Sequence, residues 1–132
     1  MNREMSGRNE ASLRRRRLAW RFGRYGEAVC AWRLRLAGYR VIARDVRTPA
    51  GEIDLVVRRR RVLAFIEVKS RSGDGAAEAL MPRQRRRIVR AAEAFLAGRP
   101  ALAGLDVRFD LMLVGNGLLP TPPRRLPRRR LI

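Results

Sequence analysis

A chain of 132 residues has room for one ordinary domain, with a core burying somewhat under about 70% of the unfolded surface. Its 31 Lys and Arg against 12 Asp and Glu give a net charge of +19, which points to a polyanionic partner, nucleic acid first and an anionic membrane second. There is no histidine, and Cys30 is the single cysteine, which excludes His-based triads, His-ligated zinc, internal disulfides and thiolate clusters and leaves carboxylates, Lys and water to do any chemistry.

Residues 1–17 end in Arg14-Arg15-Arg16-Arg17 and are expected to form a flexible basic arm. A folded domain is expected over 18–117, followed by an extended Pro/Arg-rich tail over 118–132. No stretch approaches about 18 apolar residues, and no apolar run follows the basic N-terminus, so the reading is a cytoplasmic protein with no membrane partner. Phe22, Tyr25, Val29, Trp32 and Leu36 recur at helical spacing, which predicts a helix over 19–37 with this stripe inward and Gly38 as its stop. Trp20 and Trp32 are taken as packing residues, and Cys30 as a small core residue.

Strands are predicted over 39–44, 52–58 and 62–69, with a turn at Thr48-Pro49-Ala50-Gly51 and a tight hairpin about Arg60-Arg61. Pro82 suits the first turn of a second helix, running to about Ala97, with Ile88, Ala91, Ala92, Phe95 and Leu96 on its core face. A last strand covers 107–114. The expected fold class is α/β: a single domain with a helix-strand-strand-strand-helix-strand core and a small mixed sheet flanked by helices.

Of the 31 cationic side chains only Lys69 is a lysine, and it lies two residues after Glu67. A compact ammonium is not interchangeable with a guanidinium where a point charge or a shiftable pKa is needed. If the hairpin is symmetric about Arg60-Arg61, Asp54 lies opposite Glu67, with Cβ atoms about 4.5–5.5 Å apart. Two carboxylates that close raise each other's pKa, and a divalent cation between them removes the repulsion. Hard oxygen donors suit Mg²⁺, or Mn²⁺. The plainer alternative is a Glu67–Lys69 pair at a strand end, with Asp54 held by a neighbouring arginine. A one-residue slip would put Asp54 on the other face.

Gly51-Glu52-Ile53-Asp54 followed by Glu67-Val68-Lys69 resembles the D-x(n)-E-x-K signature of the PD-(D/E)XK nuclease superfamily, the fold of many restriction endonucleases and archaeal Holliday-junction resolvases. Together with Gly26-Glu27, Gly38-Tyr39, the Glu67-Val68-Lys69-Ser70-Arg71 run and Arg108-Phe109-Asp110, it resembles the YraN-like family of that superfamily over about residues 23–114. The resemblance implies that Asp54 and Glu67 ligate Mg²⁺ with the Val68 carbonyl as a third donor, that Lys69 orients or activates the attacking water, and that Glu27 is an acid contributed by the first helix. Glu27 lies away from the aromatic stripe, and its other reading is a solvated residue favoured by the helix dipole. Gln84 stands where the family usually has a helix Lys, and Asp45 where it tends to have Asn.

Arg83, Arg86, Arg87 and Arg90 share the side of the second helix away from Ile88 and Phe95, and with Arg71 are read as contacts to nucleic-acid phosphates, DNA ahead of RNA. Nothing visible reads base edges. The expected function is a Mg²⁺-dependent phosphodiester hydrolase, an endonuclease with structure-specific or junction-directed action, as a monomer or homodimer. The alternatives are a catalytically silent nucleic-acid-binding module on a nuclease fold, and a basic adaptor for an acidic protein. Asp110 is read as an internal salt-bridge partner.

Overall fold

The computed structural model describes residues 25–70, 81–115 and 124–125. The basic arm over 1–17, Trp20, Phe22 and Arg71 lie outside the described residues. A first helix (α1) covers residues 25–36 and is followed by four nine-residue strands, β1 (Arg40–Thr48), β2 (Gly51–Arg59), β3 (Val62–Ser70) and β4 (Asp106–Val114). The second helix, α2 (Pro82–Ala97), connects β3 to β4 through a short 3-10 turn at Pro100–Leu102. The sheet order is β1-β2-β3-β4-β5, with β5 the two-residue strand Arg124–Arg125. Among the described residues only the β3–β4 pairing is parallel, as a helical crossover requires. The architecture is the predicted α/β domain with a small mixed sheet and two helices. Within the expected tail, residues 124–125 pair with Asp110 and Leu111, which covers part of what would otherwise be an open edge of β4.

One prediction about packing is overturned. The aromatic stripe of α1 faces out: Tyr25, Trp32 and Leu36 are 62%, 63% and 85% exposed, while Cys30, Ala31 and Leu34 are fully buried. The cause is the sheet surface beneath, which is filled by Leu55, Val57, Ile66, Met112 and Val114. The side of α1 that meets this surface is mostly of small residues, Gly26, Cys30 and Ala31, with Leu34 beside them. Gly26 is the closest case, where an added Cβ would stand 3.6 Å from Val68 Cγ1 and 3.7 Å from Val114 Cγ2. Trp32 is therefore not a core residue. The helix does stop at Gly38, with φ +90°. Tyr39 N–H donates to Leu34 O and Gly38 N–H to Arg35 O, the paired bonds of a Schellman ending.

The opposite sheet face carries Val56, Leu63, Phe65, Phe109 and Leu111 under Ile88, Ala91, Ala92 and Phe95 of α2. Phe65 is central, edge-on to Phe95 with centroids 5.9 Å apart and stacked on Phe109 at 5.6 Å. Strict alternation along β2 lapses near its start, because Ile53 joins Val56 on the α2 side while Leu55 and Val57 face α1. The lapse coincides with Asp45 on β1, between the pairs Arg44↔Leu55 and Val46↔Ile53, whose φ is +46°. Asp tolerates that left-handed conformation better than most residues. Among the described residues no helix is long and apolar enough to cross a membrane.

Candidate active site

The β2–β3 hairpin has the symmetric register expected about Arg60-Arg61, running from Arg59↔Val62 to Leu55↔Ile66. The next residues along are Asp54 and Glu67. Here the ladder gives way to a side chain: Val68 N–H donates to Asp54 Oδ2 at 2.8 Å. Glu67 is only 9% exposed. Its Oε1 accepts from Lys69 Nζ at 3.2 Å and from Gln84 Nε2 at 3.4 Å. Its Oε2 is buried and has no hydrogen-bond partner. Asp54, Glu67, Val68, Lys69, Gln84 and Arg87 line one cavity of about 370 Å³, together with Gly51, Glu52 and Ile88.

Asp54 also looks the other way. One carboxylate oxygen from each of Glu27, Asp45 and Asp54 lies within 4.8 Å of the others. Glu27 reaches this position because α1 is turned over relative to the expected packing: the side that carries Cys30, Ala31 and Leu34 inward carries Glu27 inward too. Sequence reasoning did not place Asp45 in the site, although counting back from the Thr48–Gly51 pair sets it opposite Asp54.

Crowding and burial raise the pKa of Glu27 and of Asp54. Burial, a hydrogen bond and repulsion from Asp45, and the Asp54 charge push the Glu27 carboxyl from its ordinary 4.5 up to about 8. Asp54 is raised as well, chiefly by burial and further by Glu67, against the opposing pull of Val68 N–H, Lys69 and Glu27. The Cys30 thiol, buried and facing Asp54 and Glu27, is pushed up to about 12. It stays protonated and is neither a nucleophile nor a metal ligand at neutral pH.

The donor set fits a hard divalent cation on two counts. All the donors are oxygens, and the unpartnered Glu67 Oε2 is a buried anionic acceptor of the kind a cation satisfies. Asp54, Glu67 and the Val68 carbonyl would hold it from one side, and Glu27 and Asp45 would add donors from the other.

Beside the cavity, Arg83, Arg86, Arg87 and Arg90 are all exposed along α2. Arg85, which the sequence reading passed over, is buried. Asp110 is paired with Arg108 at 3.2 Å, as an internal salt bridge.

A mixed sheet flanked by two helices, with Asp, Glu and Lys gathered at one end of a central hairpin, defines a nuclease-like α/β domain of the PD-(D/E)XK type. The sequence model of "Uncharacterised protein family UPF0102" matches residues 26–114. A UPF0102 protein of Parvibaculum lavamentivorans is 55% identical over 111 residues, covering 83% of this chain and 78% of its own length. A UPF0102 protein of Rhodopseudomonas palustris is 50% identical over 110 residues, covering 83% of this chain and 79% of its own. The chain belongs to the UPF0102 family, the YraN-like group of nuclease-like proteins.

Proposed function

We propose that this protein is a metal-dependent nucleic-acid phosphodiesterase, an endonuclease that takes DNA ahead of RNA and branched or otherwise structured strands ahead of plain duplex. The observation that carries the reading is the buried, unpartnered Glu67 Oε2, in a cavity shared with Asp54 and the chain's single lysine. A structural ion pair would have no use for an open acceptor there, because a buried acceptor left unmatched is destabilising. Mg²⁺ or Mn²⁺ bound to these carboxylates would supply a Lewis acid for the phosphate oxygens and acidify a water molecule.

The chain's own groups divide the remaining work. Val68 N–H fixes Asp54 Oδ2, so the carboxylate is held in place before any ligand arrives. Gln84 and Lys69 fix Glu67 Oε1, leaving the other oxygen buried and without a partner. Lys69 sets its ammonium beside Glu67, where the phosphate oxygens gain negative charge, and it orients the water for in-line attack. No covalent intermediate with the protein is needed. The exposed arginines of α2, with Arg71, hold the backbone on either side, so affinity falls steeply with salt.

The test is incubation with labelled duplex, single-stranded and four-way-junction DNA and with RNA, in Mg²⁺ and in Mn²⁺. Cleavage is expected, with Asp54→Asn and Lys69→Ala each lowering it about 100-fold or more and chelator abolishing it. Tight, salt-sensitive binding with no cleavage of any substrate would replace this reading with a silent binding module.

A further inference from the structure

The first turn of α2 carries a cation that lacks an anion. Arg85 is only 5% exposed, and among the described residues no acceptor reaches its Nε or Nη1. A guanidinium stays charged at any physiological pH, so burying one without an acceptor is among the least favourable arrangements a fold retains. The more exposed arginines of this protein do better: Arg59 donates to Ala37 O, Arg61 to Gly104 O and Arg58 to Arg60 O.

A second, independent feature lies at the same place. α2 begins with Pro82 after Met81, with no side-chain cap and no acidic residue in its first turn. Nothing in its own first turn thus compensates the positive end of this 16-residue helix. Helical side chains lean back toward the N-terminus, which lays the Arg85 guanidinium over that turn. Neighbouring Gln84 reaches Glu67, and Arg87 and Ile88 line the carboxylate cavity.

We propose that this turn is a phosphate subsite, in which the Arg85 guanidinium and the N-terminal end of α2 hold one backbone phosphate of a nucleic-acid strand beside the phosphate presented to Asp54, Glu67 and Lys69. A tetrahedral oxyanion matches both halves of the site, the planar fork of arginine and the positive end of a helix dipole. A neutral ligand would satisfy neither. The assignment to a nucleic-acid backbone rests on the phosphodiesterase reading of the adjacent carboxylates, whereas the anion chemistry does not.

The experiment reads binding without turnover. Fluorescence anisotropy of a labelled 12-nucleotide single strand is measured with the full chain and no divalent metal, beside thermal shifts in inorganic phosphate. Arg85→Met is expected to weaken oligonucleotide binding about tenfold or more. Arg85→Lys, which keeps the charge but loses the fork, should fall between it and the wild type. Arg40→Lys, exposed at the start of β1 beside Arg58 and away from the carboxylate cavity, should stay within about threefold of the wild type. Without ligand, Arg85→Met should melt no lower than the wild type, because an unpaired buried charge has been removed.

Oligonucleotide affinity within twofold of the wild type in a folded Arg85→Met would overturn the proposal. So would an Arg85→Met that fails to fold beside an Arg85→Lys that binds as the wild type, which would assign the guanidinium to a carboxylate of this chain. A phosphate-induced shift lost in Arg85→Met with no change in oligonucleotide affinity would make the turn a site for free phosphate and overturn the backbone assignment. A protein that cleaves nothing yet binds through Arg85 would refute the phosphodiesterase reading and leave the subsite standing.

Discussion

At its turn, the β2–β3 hairpin is fully paired, from Arg59↔Val62 back to Leu55↔Ile66, and its arginines find partners. Arg59 donates to Ala37 O at 3.1 Å and covers the Tyr39 ring at 4.4 Å, and Arg61 O accepts from Asp106 N at 2.7 Å. About 20 Å away along β3, the same two strands end differently. The ladder yields to Asp54, an acid buried beside other acids, and Glu67 keeps an oxygen with no partner. One end is complete as it stands. On the proposed function the other is completed by a cation and an anion, and an end left open in this way is where ligand binding would act.

The largest effect should come from the complete part. Phe65→Ala removes a ring held between Phe95 and Phe109 and should cost about 3–5 kcal/mol. Urea unfolding is the measurement, with a lower midpoint and an unchanged slope as the expected outcome. A loss below about 1 kcal/mol would mean that the sheet–α2 layer is not the stabilising core and would dissolve the contrast between the two ends.

A smaller effect, of opposite sense, is expected where the acids meet. Glu27 titrates near 8 in the folded protein and near 4.5 when unfolded, so the folded state holds the extra proton between those values. Its contribution to stability is therefore fully present below pH 4.5, declines as pH rises, and is lost above about pH 8. Asp54 is shifted in the same direction and adds to the slope. Thermal melts in chelator should fall across this window. Glu27→Gln should flatten the profile, and Mg²⁺ should restore stability at the alkaline end by binding only the folded state. A melt that rises from pH 5 to 8 in chelator would place Glu27 away from Asp45 and Asp54.

Most of the fold was legible because it depends on local signals. Period-two alternation with the Arg60-Arg61 turn set the hairpin register, and Pro82 set the start of α2. The carboxylate–lysine group followed from that register. What the sequence could not convey was which side of α1 a sheet would accept, since this depends on the shape of Leu55, Ile66, Met112 and Val114, residues distant in the chain. Asp45 was missed for a related reason: its place opposite Asp54 requires the β1–β2 pairing and a left-handed backbone. Arg85 was missed because one arginine among many gives no sign that it, alone among the described arginines, is buried.

The orientation of α1 is the pivot of the site, since the same rotation that exposes Trp32 brings Glu27 to Asp54. Trp32→Gln tests it with the smallest change. The ring is 63% exposed, and its described contact is Arg35, 5.9 Å from its centroid. An exposed cation–π pair contributes about 0.5–1 kcal/mol, so the substitution should shift stability by about 1 kcal/mol or less and leave the Glu27-dependent pH profile intact. A tryptophan packed in the core would cost about 3–5 kcal/mol on truncation. A loss of that size would show that the aromatic stripe faces the sheet after all, and would carry Glu27 out of the site with it.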